Sequence, residues 1–157
     1  MKPQIVSLRP QNSPVRRPFV TRVDDIVPLD TVPGEQVSVC VRGADVGGAY
    51  TILRSLIVPD GAVPMHIHQN EDEVFHIIEG CLHFHIGKAE FNASPGATVV
   101  VPKGAAHAWR NMTEARVLAL IVFTPGGIDR MFDEIAGRSP RDIELIALRY
   151  GTIVVGP

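Results

Sequence analysis

The sequence contains little of what marks several large classes of protein. It has only two cysteines, Cys40 and Cys81, among 157 residues, which is too few for a disulfide framework, and we expect both to be reduced. No apolar run approaches the roughly 20 residues of a membrane-spanning helix, and the first residues lack the apolar core of a signal peptide. A net charge of −2 argues against nucleic acid or an anionic membrane as the partner. These absences predict a cytoplasmic protein that binds neither nucleic acid nor membrane.

The fingerprints of several common chemistries are missing as well. The chain has no Gly-rich phosphate loop, no dinucleotide-binding motif and no Ser-His-Asp arrangement. What remains is an ordinary globular composition, with 45% hydrophobic and 20% charged residues. The length fits one domain with a single core.

Short strands separated by turn residues dominate residues 35–125. The segments "EQVSVCVRG" and "AYTILRSLIV" are strand-like, and the Gly47-Gly48 pair between them suits a hairpin turn. The segment "SPGATVVVPKG" places turn residues on both sides of a β-branched run. No helical pattern interrupts this region. Many short strands with frequent turns predict an all-β sandwich or barrel.

The two ends of the chain differ from this middle part. Residues 1–34 form a proline-rich, irregular arm whose one apolar stretch is "PFVTRVDDIVPL". Residues 126–157 contain two short helical patterns, and the second begins with Ser139 as N-cap and Pro140 at the first helical position. The closing "TIVVGP" is compatible with a final strand. We expect this C-terminal segment to pack on the barrel within one domain.

Possible metal ligands are concentrated in the segment "HIHQNEDEVFHIIEG". His66 and His68 are two residues apart in a strand pattern, so their side chains share one face. Neighbouring imidazoles on a β surface are a natural first half of a metal site. Glu73 opens the next strand, where sheet hydrogen bonds can fix its position, whereas Glu71 and Asp72 are expected in the turn, facing water. These residues predict part of a site that needs a further ligand.

His107 is the best candidate for that ligand, because it leads the strand "HAWRN" directly after a turn. Strand parity places His76 on the face opposite to Glu73 if no bulge intervenes. His83 and His85 share the polar face of their strand and are expected at the surface or rim. The alternative is that all these histidines are structural, and parity alone leaves open whether any of the last three joins the site.

The spacing resembles the two motifs of the cupin superfamily. The first motif, G-x5-H-x-H-x3-4-E-x6-G, is matched up to Gly80, except that Asp60 stands in place of the first glycine. The second, G-x5-P-x-G-x2-H-x3-N, is matched at every fixed position by Gly96, Pro102, Gly104, His107 and Asn111. A single pair of motifs resembles a monocupin. The tail is similar to that of small bacterial cupins described as quercetin-dioxygenase-like.

This resemblance implies an all-β cupin fold, a double-stranded β-helix or jelly-roll barrel. The barrel would cover residues 35–125, with the irregular arm at 1–34 and two short helices within 126–157. The resemblance also implies one divalent ion, which could be Fe, Mn, Ni, Co or Zn. Its expected ligands are His66, His68, Glu73 and His107.

The resemblance suggests a role for Glu73, and strand parity places two aromatic residues beside the expected metal. Glu73 is the expected catalytic residue, because a carboxylate ligand with a free oxygen can accept a proton from a substrate hydroxyl. Trp109 shares the face of His107 and is expected either to line the substrate pocket or to be a core aromatic. Phe75 shares the face of Glu73 and is expected to line the cavity below it.

Three functions are compatible with these expectations. The first is a metal-dependent dioxygenase acting on a small enol or aromatic substrate chelated to the metal. The second is a non-redox cyclase, isomerase or lyase similar to polyketide cyclases, and the third is a binding module without chemistry. We also expect a homodimer, because the N-terminal apolar stretch could add a strand to a partner's sheet.

Overall fold

A computed structural model of the chain describes residues 18–156. The first half of the expected arm, residues 1–17, lies outside the described residues. In chain order, the strands are β1 (Leu29–Asp30), β2 (Glu35–Val41), β3 (Thr51–Ile57), β4 (Ala62–His68), β5 (Asp72–Glu79), β6 (Leu82–Ile86), β7 (Ala89–Ala93), β8 (Thr98–Val101), β9 (His107–Arg110), β10 (Val117–Thr124) and β11 (Thr152–Val154). Helices α1 (Asp129–Ile135) and α2 (Pro140–Arg149) come before β11, and two 3₁₀ helices cover Val23–Asp25 and Gly43–Val46.

The strands form two antiparallel sheets, as the sequence predicts for a jelly-roll barrel. One sheet has the order β1-β2-β3-β10-β5-β8 and the other the order β11-β4-β9-β6-β7. Side chains alternate in burial along each central strand. In β3, the four residues Thr51, Leu53, Ser55 and Ile57 are buried and the three between them are half-exposed. The inward faces of the two sheets therefore enclose one core, and the predicted all-β jelly-roll barrel is confirmed.

The connection between β2 and β3 is longer than the two-residue turn expected at Gly47-Gly48. The two strands do pair antiparallel, but a 3₁₀ helix precedes the glycines, which have φ of 61° and 78°. The reason is a tertiary contact. Asp129 at the start of α1 accepts hydrogen bonds from the backbone N–H of Gly43 (3.0 Å) and the hydroxyl of Thr51 (2.9 Å). This buried carboxylate holds the loop in a shape that local sequence does not indicate.

Both predicted C-terminal helices are present, and the backbone N–H of Asp142 bonds to the Ser139 hydroxyl at the start of α2. Neither helix in residues 18–156 is long and apolar enough to cross a bilayer. The tail does more than pack on the barrel, because β11 pairs with β4 within the sheet. Likewise, β1 from the expected arm pairs with β2. Both additions cover backbone groups that an edge strand would otherwise leave unpaired.

Two turns of the first motif need left-handed backbone. Gly80 has φ of 80°, and a Cβ there would lie 2.5 Å from the carbonyl oxygen of Arg116. Asp60 stands where the motif has a glycine, and it adopts φ of 65°. Aspartate tolerates this region better than most residues. The departure from the motif therefore leaves the turn before β4 intact.

Candidate metal centre

Four buried side chains from three strands meet inside the barrel. His66 and His68 come from β4, Glu73 from β5 and His107 from β9. His66 lies opposite His107 in the pairing of β4 with β9. One ligand atom of each residue lies within 4.8 Å of those of the other three. The structure thus brings together the four residues that the sequence singled out.

The distances within this four-residue cluster suit a single ion. Oε2 of Glu73 is 2.9 Å from Nε2 of His107 and 3.3 Å from Nε2 of His68. The Nε2 atoms of His66 and His68 are 3.2 Å apart. Ligands about 2.1 Å from one ion can be at most about 4.2 Å apart, so the ligand atoms, which lie within 4.8 Å of one another, need to approach by at most about 0.6 Å. Three imidazole nitrogens and a carboxylate oxygen form a donor set that first-row divalent metals accept.

Each imidazole is oriented by a contact from its other ring nitrogen. An oxygen atom lies within hydrogen-bond distance of every Nδ1, so a proton on Nδ1 leaves the lone pair of Nε2 facing the centre of the cluster. The partners are the carbonyl of Pro64 for His66 (2.9 Å), the hydroxyl of Thr152 for His68 (3.0 Å) and the carbonyl of Ala105 for His107 (3.1 Å). The cluster is therefore preorganised for a metal by backbone and hydroxyl contacts.

The loop before His107 is tied to the strand that carries the other two histidines. Gly104 has φ of 83° and donates its backbone N–H to the carbonyl of His68 (2.8 Å). Asn111, the last residue of the second motif, is fully buried and donates its side-chain amide to the carbonyls of Ile57 and Ala115. The motif residues outside the cluster thus fix the backbone around it.

The electrostatics of the cluster follow from its burial. Burial lowers the pKa of His66 to about 4, helped by the nearby positive charge of His107. Burial would raise the pKa of Glu73, but hydrogen bonds from His107 and His68 outweigh it and hold that pKa well below its usual range. Burial likewise would lower the pKa of His107, and the hydrogen bond to Glu73 outweighs it and raises that pKa. Without a metal, the Glu73 carboxylate therefore favours a proton on His107.

A cavity of about 440 Å³ lies beside the cluster and is lined by His66, His68 and Glu73. Most of the wall is apolar. It is formed by barrel residues and by both C-terminal helices, including Trp109, Ile121, Phe123, Met131, Phe132 and Ile143. Its size and apolar lining are typical of a site for a small molecule.

The two aromatic residues expected at the pocket differ in position. Trp109 is 5% exposed and lines the cavity, as one of its two interpretations requires. Phe75 faces inward but does not line the cavity. Its ring packs edge-on against Phe84, with ring centroids 5.0 Å apart. Strand parity correctly predicts that Phe75 faces inward. Other core side chains surround its ring, so Phe75 belongs to the core and not to the cavity wall.

The remaining histidines lie outside the cluster. His76 is exposed and contacts the Thr98 hydroxyl, while His83 contacts Asn92. His85 is half-buried, on the same side of β6 as His83. Glu71 corrects an expectation, because it is buried at 8% exposure instead of facing water.

Two polar residues near the cluster had no signal in the sequence. Thr152 contacts His68 from β11, and Glu35 lines the same cavity from the start of β2. Both lie outside the two motifs. Their inward orientation could be predicted only from the alternation of side chains along β2 and β11, and only if the pairing of these strands were also predicted correctly.

The chain resembles a known family in sequence and several solved structures in fold. Residues 53–123, which include all four residues of the cluster, match the cupin domain family model. No curated protein is significantly similar to the chain in sequence.

Three solved structures illustrate the likeness in fold. KdgF from Halomonas sp. is 17% identical with a TM-score of 0.65, covering 73% of this chain and 99% of its own. A sugar phosphate isomerase of the cupin superfamily from Silicibacter pomeroyi is 21% identical with a TM-score of 0.59, covering 68% and 75%. The polyketide cyclase RemF from Streptomyces resistomycificus is 16% identical with a TM-score of 0.60, covering 69% and 80%. At these identities the likeness establishes a shared fold, on which different chemistries occur.

Proposed function

We propose that this protein, whose residues 53–123 match the cupin domain family model, is a metal-dependent enzyme of the dioxygenase type. Its substrate would be a small enol or aromatic molecule with oxygen atoms that can reach the metal. One observation carries the proposal. The buried cluster of three histidines and Glu73 borders an apolar cavity large enough for such a molecule.

The donor set is consistent with one divalent ion. Three neutral imidazoles and one carboxylate would leave the ion with one positive charge, and an octahedral ion would keep two positions for other ligands, which suits Fe, Mn, Co or Ni better than tetrahedral Zn. An ion bound there would polarise substrate oxygen atoms as a Lewis acid and, if redox-active, would permit reaction with O₂.

The protein's own groups would supply the proton transfer and the exclusion of water. Both contacts of Glu73 to histidines use Oε2, which leaves Oε1 to accept a proton from a substrate hydroxyl. Trp109 and Phe123 offer flat apolar surfaces to a planar substrate. Helices α1 and α2 close the remaining wall with Met131, Phe132 and Ile143, and so limit the access of water.

The test is a metal analysis followed by an oxygen-electrode assay. Protein purified without a histidine tag is loaded with Fe, Mn, Co or Ni and mixed with flavonols, 1,3-diketones or polyketide-like enols. We expect oxygen consumption that needs both metal and substrate and that the Glu73→Gln variant loses. Turnover that is equally fast without oxygen would contradict the dioxygenase function.

A non-redox cyclase, isomerase or lyase is the second candidate, and one observation favours it. Two carboxyl groups, those of Glu35 and Glu73, line the same cavity, and a reaction that only moves protons can use a pair of such groups. This candidate predicts turnover in the absence of oxygen and with zinc. A protein that only binds small molecules would bind members of the panel and convert none.

A further inference from the structure

Glu35 is a second acidic residue in the wall of the cavity. It opens β2, points into the barrel and is 7% exposed. It lines the cavity together with His66, His68 and Glu73, although it comes from an earlier strand that lies outside both sequence motifs. A molecule that fills the cavity would therefore touch both the metal cluster and Glu35.

The hydrogen-bond partners of Glu35 are two hydroxyl groups. Thr31 donates to Oε2 (2.7 Å) and Ser55 donates to Oε1 (2.6 Å). A hydroxyl can donate or accept, so this arrangement tolerates both protonation states of the carboxyl. None of the ion pairs within residues 18–156 involves Glu35. The carboxyl is thus held in place without a counter-charge.

Its surroundings favour the neutral form. Burial raises the pKa of Glu35, and the negative charge of Glu73 raises it further, while the two hydroxyl groups act in the opposite direction. A neutral carboxyl can donate one hydrogen bond and accept others. Thr31 and Ser55 each occupy one lone pair of the carboxyl, so further hydrogen-bonding capacity faces the apolar cavity, where a polar atom of a bound molecule can use it.

We propose that Glu35 is a specificity-determining residue, which hydrogen-bonds a hydroxyl or carbonyl group of a ligand whose other end lies at the metal cluster. This inference rests on the proposed function, because it takes the cavity as the substrate site. It narrows the substrate to an oxygenated molecule with a chelating pair of oxygen atoms at one end and a further oxygen at the other. A purely aliphatic or aromatic far end would leave Glu35 buried without a ligand partner.

Two matched probes test the inference. Kojic acid and allomaltol carry the same hydroxyl and ketone pair, but kojic acid has a hydroxymethyl group across the ring where allomaltol has a methyl group. Their dissociation constants are measured by calorimetry on the nickel-loaded protein. The fluorescence of Trp109, the only tryptophan, reports occupancy of the cavity. The ratio of the two constants isolates the contribution of the far hydroxyl.

We expect the protein to bind kojic acid about five- to tenfold more tightly than allomaltol, as one neutral hydrogen bond permits. Glu35→Leu should abolish this preference, whereas Glu35→Gln should keep it because an amide can still donate and accept. Glu114→Gln, at an exposed residue between β9 and β10 that does not line the cavity, is the control for loss of one acidic group and should leave the ratio unchanged. Urea unfolding and nickel content verify that each variant is folded and loaded.

The possible failures are distinguishable. Equal affinity of the unmodified protein for both probes would overturn the role of Glu35, as would a preference that persists in Glu35→Leu. If neither probe binds, or if both bind the metal-free protein equally well, the proposed function fails first, and the inference fails with it. If Glu35→Leu does not fold, Glu35→Ala takes its place in the same comparison.

Discussion

Thr152 lies directly opposite His68 in the pairing of β11 with β4, and its hydroxyl oxygen is 3.0 Å from Nδ1 of that histidine. The two residues are 84 positions apart in the chain. Both are buried, at 6% and 5% exposure. The C-terminal strand therefore fixes the orientation of one of the four expected metal ligands.

Replacing Thr152 by valine should weaken metal binding while the barrel stays folded. Valine has the same shape as threonine but leaves Nδ1 of His68 without a hydrogen-bond partner. Loss of such a contact to a metal-binding histidine typically lowers metal affinity about 10- to 100-fold. Thr152→Ser keeps the hydroxyl and should restore most of the affinity. Competition with a fluorescent chelator gives the affinity, and the visible spectrum of the cobalt-loaded protein reports the ligand geometry. Unchanged affinity and spectrum in Thr152→Val would show that the contact does not orient His68.

The sequence predicted the cluster because its residues obey simple rules. His66 and His68 share a face by strand parity, and the two motifs fix the spacing of Glu73 and His107. The partner of His68 could not be predicted in this way, because the hydroxyl of Thr152 approaches only once β11 has found β4. The alternation of side chains along a strand predicts which face a residue lies on. The depth of that residue in the barrel and its contacts with residues distant in sequence depend on the packing of the whole fold.

The misplaced residues show the same limit. Strand parity predicts that Phe75 faces inward but does not predict how deep in the barrel it lies. Its ring packs on Phe84 instead of lining the cavity. The position of Glu71 before the strand of Glu73 predicts an exposed turn residue, yet Glu71 is buried. The hairpin turn after β2 is likewise predicted from its two glycines alone, whereas a hydrogen bond to Asp129 of α1 determines the shape of that loop.

His107→Ala should remove most of the bound metal without unfolding the barrel. It deletes one ligand and also deprives Glu73 of its shortest contact, of 2.9 Å. We expect metal content to fall below about one tenth of that of the unmodified protein. The free energy of unfolding of the metal-free protein should fall by about 1–3 kcal/mol, because a buried carboxylate loses a hydrogen-bond partner. Metal analysis and urea unfolding measure the two effects, and full metal occupancy in the variant would exclude His107 from the site.

Metal binding should weaken as the pH falls. His66, whose pKa burial lowers to about 4, is already neutral near pH 7. The hydrogen bond to Glu73 overcomes the effect of burial and raises the pKa of His107, so a metal must displace a proton from that residue. Below the pKa of His107, affinity should drop about tenfold per pH unit. Calorimetry in two buffers of different ionisation enthalpy counts the protons released, and release of none at pH 7 would be inconsistent with this account.

Glu35→Gln should change how stability depends on pH. Burial raises the pKa of Glu35 in the folded protein above its ordinary value of 4.5. Its contribution to stability is therefore fully present below that value and is lost as the pH rises through the raised pKa. Glutamine does not titrate, so the variant should gain in unfolding free energy relative to the unmodified protein as the pH rises. Urea unfolding with chelator from pH 4 to pH 8 measures the difference, with the exposed Glu114→Gln as the control. A difference that is independent of pH would rule out a raised pKa.

The expected homodimer is testable through the N-terminal arm. Within the described residues, the apolar side chains of Phe19, Val20 and Val27 are 51%, 81% and 81% exposed, and contact with a second copy would cover them. Removing residues 1–27 spares β1 and the Thr31 contact to Glu35, so metal content should not change while the mass measured by light scattering falls from dimer to monomer. Because that deletion also removes residues 1–17, the double variant Phe19→Asp, Val20→Asp separates the two parts of the arm. The double variant should also be monomeric, because each aspartate would bury an unpaired charge in the interface. A dimeric mass for both variants would place the interface elsewhere on the barrel.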